Sequence, residues 1–245
     1  MIYTLPLTGG RTLYGLALGI LMLDTKFPRL PGDVGHAATW PFPVAYRIVR
    51  GALPERMTVP EADPALLEPF TDAARELEEL GVPAIITSCG FLATYQRELS
   101  AAVSVPVFAS ALLQVPVAAA VAPGRRVAIL TASPVLTDRH FIGTGWSQRA
   151  IPVVQMAPEP DSHFVETYVG NAPEADIGRI EQEVARLARR TVREHPDVGA
   201  IVLECANFSP FSSLVRRITG VAVFDLHTLG LHAHAATDGC GPGDR

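Results

Sequence analysis

Cysteine is scarce in this chain of 245 residues: Cys89, Cys205 and Cys240 are too few and too widely spaced for a disulfide framework. No Cys-x-x-Cys or His-x-x-x-His spacing suggests a zinc site, and of His227, His232 and His234 the last two are two apart, which puts them on different faces of a helix. Positive charge is also short. Lys and Arg number 20 against 25 Asp and Glu, for a formal net charge of -5, which argues against a nucleic-acid or polybasic membrane binder. Long apolar runs are missing too. The best, Leu13 to Leu23, is roughly half of the ~20 residues a membrane span needs, and no small-residue cleavage pattern follows it, so it reads as a first buried strand. There is no Gly-x-Gly-x-x-Gly or Walker sequence, so no nucleotide cofactor is signalled. These absences leave a small-molecule partner, no nucleic acid, no membrane, and a reducing, cytoplasmic setting as the expectation.

What is present is a core-forming chain, 48% hydrophobic and 18% charged. Short apolar runs alternate with helical patterns. After Leu13 to Leu23 come strands at Val44 to Arg50, Ala84 to Cys89, Val105 to Ala109, Arg126 to Leu130, Ile151 to Met156, Ala200 to Cys205 and Val221 to Leu226. Between them, residues 54 to 64 read as a proline-rich loop, Pro64 to Leu80 as a helix ended by Gly81, and Leu112 to Val121 as a helix interrupted by Pro116. Thr131-Ala132-Ser133-Pro134 reads as an exit loop and helix start, Pro158 to Pro173 as a loop, and Ala175 to Glu194 as the strongest amphipathic helix. A closing helix runs to about Ala236, and the tail from Gly239 reads as disordered.

The chain also repeats itself. Cys205 lies 116 positions after Cys89, and at that offset Ala84-Ile85 matches Ala200-Ile201, Leu92 matches Phe208, and Val107-Phe108 matches Val223-Phe224. A strand-cysteine-helix-strand unit that occurs twice predicts an α/β fold of two pseudo-symmetric lobes, each a mostly four-stranded parallel sheet flanked by helices, with the active site in the cleft between them. The expected lobes are residues 1–110 plus 226–236 with Cys89, and 111–225 with Cys205, followed by a tail at 237–245.

Two opposed thiols suit proton abstraction and return at a carbon next to a carboxylate or carbonyl, because a thiolate is a usable base near neutral pH. Each cysteine sits where a helix should begin, which predicts that the helix dipole helps to ionise it. The backbone N–H groups of Gly90, Phe91, Ala206 and Asn207 are candidate holders of a substrate carboxylate, with hydroxyls from Thr87, Ser88, Thr131 and Ser133. Loops leaving strand ends carry ligands in open α/β sheets, so Asp24, Thr25 and Arg29 join the candidate binding residues. Glu204 reads equally as orienting the site or pointing to the far face of its strand.

Thr87-Ser88-Cys89-Gly90-Phe91 and Glu204-Cys205-Ala206-Asn207 resemble the paired sites of the aspartate/glutamate/hydantoin racemase superfamily, and the two-lobe order extends the likeness over roughly residues 10 to 236. The resemblance implies a cofactor-independent isomerase, a racemase or epimerase that works on an amino acid or hydantoin by a two-base mechanism with Cys89 and Cys205 catalytic. It further implies that the helix after each lobe's last strand packs on the other lobe, and it leaves open a homodimer or higher homo-oligomer. The small Ala206 is closer to hydantoin racemases than to the Cys-Thr-His second site of glutamate racemases. Isomerisation of an unsaturated diacid, decarboxylation of a malonate, and a non-catalytic ligand-binding module stay open as alternatives.

Overall fold

A computed structural model describes residues 9–61 and 63–238, so the expectations for the tail beyond 238, Cys240 among them, lie outside the described residues. Within the described residues eight strands form: β1 (Leu18–Leu23), β2 (Val44–Val49), β3 (Ile85–Thr87), β4 (Val107–Phe108), β5 (Arg126–Leu130), β6 (Val153–Met156), β7 (Val198–Leu203) and β8 (Ala222–Phe224). They make two four-stranded parallel sheets of identical topology, β2-β1-β3-β4 and β6-β5-β7-β8. This is the expected α/β fold, and its central strands are the most apolar runs in the sequence. Every residue of β1 is buried, as both faces of a parallel strand must be when helices cover them.

Among the described residues nine α-helices connect and flank the strands: α1 (Pro54–Met57), α2 (Leu67–Glu79), α3 (Gln96–Ala102), α4 (Val115–Val121), α5 (Asp138–Gly143), α6 (His163–Tyr168), α7 (Ile177–Glu194), α8 (Ser212–Thr219) and α9 (Leu226–Thr237). Several local expectations need correction. The first strand starts at Leu18, because Gly15 takes a positive φ of 80° and sequence-regular pairing begins only after Ala17 N–H bonds to Pro43 O at 2.9 Å. Pro116 opens α4 within its first turn, where its missing N–H costs nothing, instead of interrupting a helix. The helix expected at Ser133-Pro134 begins at the Thr137 cap, where the Thr137 side chain and His140 form a capping box. The loops at 54–64 and 158–173 each contain a short helix, α1 and α6.

The connections after the fourth strand of each sheet cross over. α4, which follows β4, packs on β5 and β7 of the second sheet, and α9, which follows β8, packs on β1, β3 and β4 of the first. The α9 contact is close: a methyl on Gly230 would lie 2.6 Å from Trp40 Cζ3 and 3.2 Å from Ile86 Cδ1, so only glycine fits beneath that indole. Trp40 is itself fixed by its indole N–H, which donates to Val34 O at 3.0 Å.

Candidate active site

In each sheet the strand order reverses between its two central strands, β1 with β3 and β5 with β7. Loops diverge there at the carboxyl ends and leave a crevice. The two crevices are built alike. Ser88 N–H donates to Leu21 O at 2.9 Å after β3, and Glu204 N–H donates to Leu130 O at 2.8 Å after β7. Each cysteine then caps a six-residue 3₁₀ helix, Gly90–Tyr95 or Ala206–Phe211, closed by Leu92 N–H to Cys89 O and Phe208 N–H to Cys205 O, both at 3.1 Å. The repeat read in the sequence is therefore a repeat in backbone geometry.

The crevices join in one narrow pocket of about 30 Å³ that both cysteines line. From the first lobe come Thr25, Phe27, Arg29, Thr58, Ser88, Gly90 and Phe91; from the second come Ala132, Tyr168, Ala206 and Asn207. Its walls are largely aromatic, with Phe27 and Tyr168 edge to face at 5.1 Å and the Arg29 guanidinium 4.7 Å above the Phe27 ring. A chain of polar contacts runs across it. Arg29 Nη1 donates to buried Asp33 Oδ1 at 2.5 Å, Asn207 Nδ2 donates to Asp33 Oδ2 at 3.0 Å, and the Cys205 thiol donates to Asn207 Oδ1 at 3.5 Å. Asp33 thus fixes which end of the Asn207 amide faces the thiol. Arg29 Nη2 also donates to Thr25 Oγ1 at 3.0 Å, which uses two of its five N–H groups and leaves three.

At both thiols burial works against the help that the helix start gives to ionisation. Burial, then the nearby Glu204, push Cys89 up to about 12, against the smaller pull of the Phe91 and Leu92 N–H groups. Burial, then Glu204, push Cys205 well up as well, opposed by the Asn207 N–H. The turns that follow are short 3₁₀ segments, and their dipoles do not outweigh desolvation. Glu204 is fully buried with both carboxyl oxygens lacking a hydrogen-bond partner, and burial raises it to about 8. Thr131 lies beside it and lowers it a little, but the Thr131 hydroxyl donates to Ser133 O at 3.0 Å.

Of the residues picked from sequence, the pocket gathers Cys89, Cys205, Ser88, Gly90, Phe91, Ala206, Asn207, Thr25 and Arg29. Four do not line it. Thr87 is buried beneath the site and donates to Ala109 O at 2.6 Å; Thr131 and Ser133 bond to each other; Asp24 braces the end of β2, accepting from Gly51 N–H at 3.1 Å and Arg50 at 3.3 Å. Asp33, Phe27, Thr58 and Tyr168 belong to the site without a sequence pattern to single them out. The one available hint was an opposite charge four residues after Arg29. A larger groove of about 500 Å³ lies on the outer face of α7, lined by Arg179, Arg186 and Arg190 among others, but it holds neither thiol, and these three pair with Glu183, Glu183 and Glu159 respectively. Among the described residues no group of three or more His, Cys, Asp or Glu is placed to hold a metal, and no helix is long and apolar enough to cross a membrane.

Comparison with known proteins follows the same lines. A family model described as Asp/Glu/Hydantoin racemase matches residues 48–234. A dimethylsulfoniopropionate lyase of Durusdinium sp. clade D is 33% identical over 217 residues, covering 85% of this chain and 71% of that protein. Dimethylsulfoniopropionate lyase 3 of Emiliania huxleyi is 31% identical over 220 residues, and this chain spans only 56% of its length. The solved structure of unliganded arylmalonate decarboxylase superposes with a TM-score of 0.58 over 91% of this chain and 92% of that one, at 18% identity, a likeness of fold alone.

Proposed function

This chain belongs to the Asp/Glu/hydantoin racemase family, and on that premise we propose that it uses a cysteine thiolate to remove the proton next to a small carboxylate, releasing a β-sulfonium group as dimethylsulfoniopropionate lyases are named for doing. The observation that carries the reading is the convergence of both thiols and Arg29 on one aromatic-walled pocket. The identity of 33% to a lyase of that name supports the choice of substrate.

The chemistry follows from the substrate's two ends. The spare N–H groups of Arg29 suit the carboxylate, and the Phe27, Tyr168 and Phe91 rings suit a dimethylsulfonium cation. A thiolate takes the proton from the carbon beside the carboxylate. The electron pair left behind forms a carbon–carbon double bond, and the carbon–sulfur bond breaks with its pair leaving on sulfur, giving acrylate and neutral dimethyl sulfide. The proton stays on the thiol until solvent removes it. Cys89 fits the base, since N–H donors and Arg29 stabilise its anion, whereas Cys205 is held as a donor to Asn207 Oδ1. The pocket is tight, so entry of substrate requires the Arg29, Phe27 and Tyr168 side chains to turn aside.

The equivalent placing of the two thiols favours a second reading, two-base inversion of an amino acid or hydantoin. Elimination needs one base and inversion needs two groups. We expect the chain to release dimethyl sulfide and acrylate from dimethylsulfoniopropionate, Cys89→Ala to lower the rate by at least ~10²-fold, in line with loss of a general base, and Cys205→Ala to keep most of it. If the wild-type chain releases no dimethyl sulfide, the lyase reading fails. Deuterium exchange at the α-carbon of amino acids or hydantoins, lost in both variants, then establishes inversion.

A further inference from the structure

Among the described residues, Glu204 is the one carboxyl whose two oxygens are both buried and both without a hydrogen-bond partner. A carboxyl in that state is costly to bury. It sits at the end of β7 directly before Cys205, and its side chain crosses to the other lobe. There it lies against Gly90, the residue after Cys89, so closely that a methyl on Gly90 would overlap the Glu204 carbonyl oxygen and Oε1. Glu204 therefore touches the backbone at both cysteines. Its charge acts more strongly on Cys89 than that of Arg29 does, and more strongly on Cys205 than that of Asp33.

The other polar groups around this cluster are already committed. From the loop after β1, Arg29 and Asp33 pair with each other. From the end of β5, Thr131 donates to Ser133 O. From α6, Tyr168 is a phenol that burial keeps neutral. Arg29, the cation that acts on Cys89, already offsets the charge of Asp33. Like charges a few ångströms apart in such surroundings do not both ionise.

We propose that Cys89, Glu204 and Cys205 titrate as one unit that holds at most one negative charge, with Glu204 a positioning residue whose charge state governs the ionisation of both thiols. Whether the charge sits on the carboxyl or on a thiol, the net charge of the site is the same. Below the Glu204 midpoint the carboxyl is neutral and a thiol ionises mainly against burial; above it, the carboxylate opposes ionisation of both thiols. The inference rests on the thiols being the reactive groups of the site, but its readout needs no substrate.

The test is the rate of iodoacetamide alkylation of the Cys89 and Cys205 peptides, separated from Cys240 by mass spectrometry, between pH 6.5 and 9.5. In the wild-type chain the rate should flatten above about 8, where Glu204 ionises. In Glu204→Gln, which keeps the shape and removes the charge, the rate should keep climbing. The ratio of variant to wild type, set to one at pH 6.5, then reaches about tenfold at pH 9, one unit above the Glu204 midpoint of about 8. A ratio that stays flat or falls overturns the proposal. If the variant does not fold, the wild-type profile decides alone: a rise of tenfold per pH unit continuing through pH 9.5 overturns it. Failure of the lyase reading would show as absent dimethyl sulfide with these alkylation profiles intact, so the two are told apart.

Discussion

Gly90→Ala tests whether the two lobes meet through one contact. The added methyl would overlap the Glu204 carbonyl oxygen and Oε1 and lie 2.6 Å from Cδ. The carboxyl can rotate away, but the carbonyl cannot, because Glu204 N–H is tied to Leu130 O at 2.8 Å and anchors that end of β7. About 1 Å must open between the lobes, and the movement falls on the turn that carries Cys89. Overpacking of this kind costs about 1–3 kcal/mol. For a chain of 245 residues that is a fall in Tm of roughly 2–4 °C per kcal/mol. A displacement of ~1 Å at the reacting group costs on the order of 10²-fold in rate. The assay is dimethyl sulfide release with a thermal melt, beside Gly178→Ala as control, where the nearest atom to the new methyl is Asp176 Oδ1 at 3.4 Å. Gly90→Ala with rate within threefold of wild type and an unchanged melt would refute the reasoning.

Asp33→Ala should destabilise the fold by about 3–5 kcal/mol by urea titration, because it strands the largely covered Arg29 and leaves Asn207 Nδ2 and Gly35 N–H without their acceptor; a loss under 1 kcal/mol would show the pair to be dispensable. His140 is buried and neutral, and burial lowers its pKa below 6.5, so the unfolded chain binds the extra proton first as pH falls. Stability should therefore drop below pH 6.5, by at most about 1.4 kcal/mol per pH unit. His140→Gln, which can keep the side-chain cap on Thr137 N–H, should flatten that slope between pH 6.5 and 5.5; an unchanged slope assigns it elsewhere.

The eight strands were legible because buried parallel strands are runs such as Leu18–Leu23 and Val198–Leu203, apolar on both faces and bounded by glycine, proline or charge. Their ends located Cys89 and Cys205, and the repeat paired them. Apolar content alone does not separate strand from lead-in, so Leu13 to Ala17 read as strand although Gly15 turns the chain there. The contacts that complete the site were hidden for a different reason. Asp33 and Asn207 are 174 positions apart, and no local pattern reports a contact made only when two lobes close on each other. The facing of Glu204 was undecided by strand alternation, since its direction is settled by the space beside Gly90. The burial that opposes ionisation of the thiols was hidden as well, because a helix start is visible in sequence while desolvation is not.

The exchange of α4 and α9 between the sheets bears on how the chain is made. As synthesis proceeds from the N-terminus, β1 to β4 emerge with their α9 side uncovered, and Trp40 and Ile86 wait for Gly230. The half of the molecule that is translated first is completed last, from residues 226–237, whereas the second sheet receives α4 before its own strands appear. A ribosome stalled before residue 226 would hold a nearly whole second lobe beside an open first one, and that nascent chain is the stage at which holdase chaperones should bind most.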